Sequence, residues 1–149
     1  MIKSVLIVGY GSIGKRHARL ARNLLPHAKI IIFRHKVSKK KNYRYIDHCV
    51  TNLKDAIKHR PQIAIISNPA TFHVKTANTL AKSGIHLLIE KPISNSSKNV
   101  SNLINICRKK KVILIEDNAI YYGNYFLNKG KKIFSGSFGD YSLHSFNIM

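Results

Sequence analysis

Short β-branched runs alternate with stretches of helical spacing, and this alternation limits the chain to a layered α/β architecture with a parallel sheet. SVLIVG (4–9), KIIIF (29–33), QIAIIS (62–67), HLLIE (86–90) and VILIE (112–116) are almost wholly apolar, as strands buried on both faces are. The spacing predicts a helix from Ile13 to Leu25, stopped by Pro26, and another from Thr71 to Ser83, closed by Gly84. Ser94 to Ser97 read as a cap region for a further helix carrying Val100, Leu103, Ile104 and Cys107. YIDHCV (45–50) is expected to be a short strand and Leu53 to His59 a short helix, while the basic stretch from Arg34 to Tyr45 reads as a loop. Strand–helix–strand crossovers of this kind are nearly always right-handed.

The first strand runs into VGYGSIGKRH, which holds Gly9, Gly11 and Gly14 in GxGxxG spacing. That spacing alone is weak, but here a strand precedes it and a helix follows. Gly9 suits a tight turn, Gly11 lets backbone approach a pyrophosphate, and Gly14 lets helix and strand pack closely. The N–H groups of Tyr10, Ser12 and Ile13 and the positive end of the helix then suit phosphate. The expected fold class is therefore α/β, a Rossmann-type doubly wound parallel sheet. A merely tight strand–helix turn is the plainer explanation of the same glycines.

An acid at the tip of the second strand would bind the 2′-hydroxyl of NAD. Here the strand runs out through Phe33, Arg34, His35 and Lys36, with no acid. A guanidinium binds a 2′-phosphate through paired hydrogen bonds and stacks on adenine. The expected cofactor is NADP, with NAD possible, and Arg34 is the expected main contact, assisted by His35 and Lys36. Against this stands the abundance of surface charge, for Arg34 is one cation among many.

The formal charge is +20, with clusters at KVSKKK (36–41), RKKK (108–111) and KGKK (129–132). Such clusters suit a polyanion, but they also suit solvated loops and helix C-termini. No aromatic-interleaved RNA motif or zinc spacing accompanies them, so nucleic acid is not the expected partner. No apolar run approaches the roughly 20 residues needed to cross a bilayer, and the N-terminus does not read as a secretory signal. Cys49 and Cys107 form no CxxC pattern and read as reduced thiols, so a cytoplasmic location is expected.

Taken together, VLIVGYGSIGKRHARLARNL, PQIAIISNPATFHVKTANTLAKSGIHLLIEKPIS and VILIEDNAIYYGNY resemble the Gfo/Idh/MocA oxidoreductases. The most specific element is Glu90-Lys91-Pro92, spaced after SNPATFH. The resemblance implies a nucleotide-binding domain, 1–119, followed from residue 120 by a substrate domain with an open antiparallel sheet. It implies hydride transfer between NAD(P) and a sugar, a polyol or a related compound. Lys91 would lie beside nicotinamide and substrate, positioning a hydroxyl or tuning proton transfer, and the bond to Pro92 is often cis in such proteins. Ser67, Asn68 and Pro69 match a loop that passes near the cofactor, and His73 matches a histidine on the next helix.

The strand HLLIE delivers Glu90 and Lys91 to the carboxyl edge of the sheet, where ligands bind in such folds. Pro92 cannot continue the ladder and ends it there. The plainer reading of Lys91 is one more surface lysine. The family pattern also implies a much longer chain than 149 residues, so only the start of the second domain is expected in 120–149. The first strand of that domain, in KKIFSGSFGDYSLHSF, should lack neighbours, with 137–149 disordered or prone to aggregate. Three readings follow. One is a truncated NADP-dependent sugar or polyol dehydrogenase, inactive alone. Another is a stand-alone dinucleotide-binding module that needs a partner. The third is a basic polyanion-binding protein on a Rossmann scaffold. Oligomeric state is not legible in the sequence.

Overall fold

The computed structural model describes residues 1–35, 43–96 and 99–117, together with the strands at 125–128, 131–134 and 141–143, described by their backbone. Six short strands run parallel: β1 (Ser4–Val8), β2 (Lys29–Phe33), β3 (His48–Val50), β4 (Ile63–Ile66), β5 (His86–Ile89) and β6 (Leu114–Asp117). The helices are α1 (Ser12–Leu24), α2 (Leu53–Lys58), α3 (His73–Lys82) and α4 (Val100–Lys110). The final strands are β7 (Tyr125–Asn128), β8 (Lys131–Phe134) and β9 (Tyr141–Leu143). The sheet order is β3-β2-β1-β4-β5-β6-β9, and β7 and β8 form a separate antiparallel pair. This is the doubly wound Rossmann arrangement that the apolar runs predict.

Both faces of the sheet are buried, which explains why its strands lack polar alternation. Leu6, Ile31, Ala64, Ile66 and Leu87 pack against Ala56 of α2, Leu80 of α3 and Leu103 of α4. On the opposite face, Val5, Ile7, Ile30 and Ile32 pack against Ala18 and Ala21 of α1. Small residues on α1 let the helix lie close to the sheet at the point where the glycine loop requires it.

Several boundaries differ from the sequence reading. The helix expected from Thr71 begins as a 3-10 turn, Ala70–Phe72, in which Phe72 N–H donates to Pro69 at 2.9 Å, before α3 takes over. Such turns are common at helix starts. Gly84 closes α3 at φ +76°, as expected. Ser94 to Ser96 do not cap α4: Ser94 Oγ accepts from Ser96 N–H at 3.1 Å. Asn99, at φ 72°, precedes the helix without a side-chain cap. The strand in VILIE starts later, at Leu114, because the residues before it close α4. Lys111 takes a left-handed conformation and Val112 N–H reaches back to Cys107 at 2.9 Å, a Schellman-type stop. In YIDHCV only His48 to Val50 pair as strand, since Asp47 Oδ2 accepts the Ile30 N–H at 2.7 Å in place of a backbone carbonyl.

The expected lone strand has a partner. Tyr141 to Leu143 pair in parallel with Ile115 to Asp117 of β6. Without it β6 would be an edge strand with unpaired N–H and C=O groups, and β9 covers that edge. The rest of 137–149, Lys36, and Ser97 in the expected cap region lie outside the described residues.

Candidate functional site

Strand order reverses between β1 and β4, and in open sheets ligands bind at this crevice, beyond the carboxyl ends of the strands. Backbone bonds hold the loops there in register. Gly9 N–H donates to Phe33 at 2.9 Å, Ser67 N–H to Val8 at 2.9 Å, and Glu90 N–H to Ile66 at 3.0 Å. Ser67 Oγ adds a bond to Val8 C=O at 3.0 Å.

The glycines are distinguished by what a side chain would meet. Gly9 sits at φ +88°, and a Cβ there would lie 2.9 Å from Asn68 N. A Cβ on Gly14 would lie 2.2 Å from Gly9 O, so α1 can approach the loop only without one. Around Gly11 there is nothing within 4 Å. Neither packing nor backbone angle demands glycine at that position, which faces open space at the start of α1. Glycine also suits the N-cap position that Gly11 holds on α1, and the open space there leaves room for the close approach of a ligand.

A cleft of about 480 Å³ opens at this point, lined by Gly9, Tyr10, Gly11, Arg34, His35, Ser67, Asn68 and Pro69, with Val8, Phe33 and Phe72 as apolar walls. Most of the residues that the sequence nominates for the cofactor therefore share one cavity. Ser12 and Ile13 open α1 beside it. Arg34 is held at the rim, its Nη1 donating to Tyr43 Oη at 3.2 Å. The ring of His35 stands edge-on to Phe33, with centroids 5.3 Å apart. Asn68 Oδ1 is buried without a hydrogen-bond partner among the described residues. A phosphate-bearing dinucleotide thus fits the donors and the space present.

Glu90, Lys91 and Pro92 stand at the end of β5, and the Lys91–Pro92 bond is cis, as the resemblance implies. Lys91 is half-buried. Glu90 Oε1 accepts a hydrogen bond from His17 Nε2 of α1 at 2.6 Å. His73 does not line the cleft. It is 1 % exposed, with Nδ1 2.9 Å from Pro92 O and Nε2 2.6 Å from Asn68 O. Carbonyls only accept, so a neutral ring donates to one of them and an imidazolium to both. His73 thus packs between the Lys91–Pro92 turn and the loop after β4, and bonds the two together only when both ring nitrogens carry a proton.

Sequence reasoning passed over His17 and Tyr43. His17 lies three residues after Gly14, hence on the same inward face of α1, and that spacing is a usable signal. Nothing local in the sequence pairs Tyr43 with Arg34. Burial, reinforced by Tyr43, pushes the Tyr10 phenol up, so it stays neutral. Burial also pushes the Cys49 thiol up, against the pull of Arg34, which argues against a nucleophilic role. A further depression of about 500 Å³, lined by Met1, Ile2, Ile63 and His86 among others, lies at the amino ends of the strands. That is the wrong edge for ligand binding in this sheet.

Residues 3–118 match the GFO_IDH_MocA family, described as an oxidoreductase family with an NAD-binding Rossmann fold. No curated protein matches the chain in sequence. Among solved structures, the fold resembles myo-inositol 2-dehydrogenase from Lactobacillus plantarum (TM-score 0.70, 21 % identity, covering 84 % of this chain and 39 % of that one). It also resembles scyllo-inositol dehydrogenase from Lactobacillus casei with bound NAD(H) and scyllo-inositol (0.68, 20 %, 78 % and 36 %). A third is the WlbA dehydrogenase from Bordetella pertussis in complex with NADH and UDP-GlcNAcA (0.68, 18 %, 78 % and 37 %). The chain thus spans well under half the length of each. No helix among the described residues is long and apolar enough to cross a membrane.

Proposed function

Since the chain belongs to the Gfo/Idh/MocA oxidoreductase family through its NAD-binding Rossmann domain, we propose that it is the cofactor-binding part of an NADP-dependent dehydrogenase of sugars or polyols. The observation that carries the reading is the cleft at the strand-order reversal, with Gly11 open on one side and Arg34 held on the other. Gly9 to Ile13 hold the pyrophosphate, Arg34 with His35 reads the 2′-phosphate, and Ser67 to Pro69 flank the remainder. Bound NADP supplies the hydride acceptor. Lys91 orients a substrate hydroxyl or handles its proton, and the contacts of Glu90 with His17 and of Pro92 with His73 fix the turn that carries it.

The substrate class rests on the neighbours, whose structures hold inositol or a nucleotide sugar. NADP rather than NAD rests on Arg34 and on the absence of an acid at the tip of β2. We place the domain boundary near residue 119 and expect this chain to bind cofactor without turning over a sugar alone, given the share of related chains that it spans.

The test is Arg34→Ala, titrated with NADPH and with NADH. NADPH affinity should fall about tenfold, the worth of one charge-assisted hydrogen bond, while NADH affinity stays within about twofold. Equal losses for both would remove Arg34 as the 2′-phosphate reader.

A further inference from the structure

A second cleft lies behind the glycine loop and contains none of the elements at the ends of β4 and β5. It measures about 540 Å³ and is lined by Lys15, Arg16 and Arg19 of α1, by Arg44, and by Tyr10, Tyr43 and Tyr45, with Ser12 at its edge. The four cations are exposed. None of them enters an ion pair among the described residues, whose pairs are His17–Glu90, Arg22–Asp47 and Lys58–Asp55. Among the described residues no acid lines the cleft. The aromatic rings are organised: Tyr10 and Tyr43 meet edge to face with centroids 5.3 Å apart, and the Arg44 guanidinium lies 5.6 Å from the centre of the Tyr45 ring. Tyr43-Arg44-Tyr45 alternate aromatic and cation in the sequence itself, and folding sets them against three further cations, Lys15, Arg16 and Arg19 of α1.

We propose that this cleft binds the sugar–phosphate chain of single-stranded nucleic acid, with the cations on phosphates and a tyrosine as a base platform. Cationic grooves with aromatic rings bind single strands in this way, tolerant of sequence and sensitive to salt. The cations are mutually repulsive and, among the described residues, uncompensated, so a bound polyanion relieves them. A neutral ligand would gain nothing from the arrangement. The proposal does not depend on the dinucleotide reading, since the residues tested here lie outside the first cleft.

The experiment measures anisotropy of a fluorescein-labelled oligouridylate of about 12 nucleotides, within the usual range of site sizes. Wild type is compared with two variants of equal charge change. One carries Lys15→Gln, Arg16→Gln and Arg19→Gln. The other carries Arg108→Gln, Lys109→Gln and Lys110→Gln, at the end of α4 and on the opposite face of the sheet. The α1 variant should bind at least about tenfold more weakly, and the slope of log K against log salt should flatten by about 2, from three phosphate contacts at 0.7 each. The α4 variant should stay within about twofold. A further arm uses inorganic polyphosphate: Tyr45→Ala should weaken the oligonucleotide at least about fivefold, as loss of one stacked base does, and leave polyphosphate unchanged. Equal losses in the two triple variants, or no salt-dependent binding by wild type, would overturn the site. Equal response of both ligands to Tyr45→Ala would overturn the nucleic-acid assignment. All substituted positions of α1 and α4 are exposed, and circular dichroism checks that each variant folds.

Discussion

Two glycines a few residues apart should answer differently to the same substitution. Gly14→Ala drives a methyl group to 2.2 Å from Gly9 O, and α1 must move off the loop. A loss of roughly 3 kcal/mol or more in chemical denaturation is expected, in the range of overpacked sites. Gly11→Ala meets nothing and should lose only the N-cap advantage of glycine over alanine, about 1 kcal/mol at most, while dinucleotide affinity falls at least about tenfold, since the methyl group occupies the ligand's space. If both variants unfold alike, Gly11 is a structural residue. Asp47 gives a prediction in pH. Burial raises its carboxyl, but the Ile30 N–H and Arg22 outweigh burial and hold it below its ordinary 3.8. Its folded value is the lower one, so its contribution is present above 3.8 and lost as pH falls through the folded value. Asp47→Asn should cost roughly 1 kcal/mol at pH 7, and the gap from wild type should narrow in melts below that value. The tight turn at Gly9 and the close packing at Gly14 were legible because they follow from backbone geometry alone. Asp47, His17 and Tyr43 were not, because their partners come from elements distant in sequence.

Element ends carry a prediction of their own. α3 stops at Gly84, φ +76°, and α4 stops in the same manner at Lys111, φ 54°. Glycine is at ease in that conformation and lysine is not. Lys111→Gly should therefore raise stability by about 0.5–1 kcal/mol, read as a higher denaturant midpoint at unchanged slope. A lower midpoint would mean that the Lys111 side chain contributes more than its backbone costs. The strands were legible from their apolar runs to within a few residues. VILIE was misjudged because periodicity cannot tell a buried residue that closes a helix, such as Val112, from one that opens a strand. The partner of β9 was missed because pairing at a sheet edge depends on which strand is left uncovered, a property of the assembled sheet.

At the scale of the molecule, a sheet closed on both faces places its chemistry at one edge. Loops from β1, β2, β4 and β5 converge there because all four strands run the same way. Alternating strands and helices predict that convergence, and GxGxxG with Glu90-Lys91-Pro92 marks the two sides of the edge. The tyrosine-lined cleft behind the loop has no such mark, since it arises only when α1 and the segment before β3 come together. The central claim is that this chain, as it stands, binds a dinucleotide. Calorimetric titration of the purified chain with NADPH and with NADH tests it most directly. The account predicts saturable binding of one dinucleotide per chain, with NADPH tighter by about tenfold or more through its 2′-phosphate. Absence of heat and of thermal stabilisation with either nucleotide would contradict it.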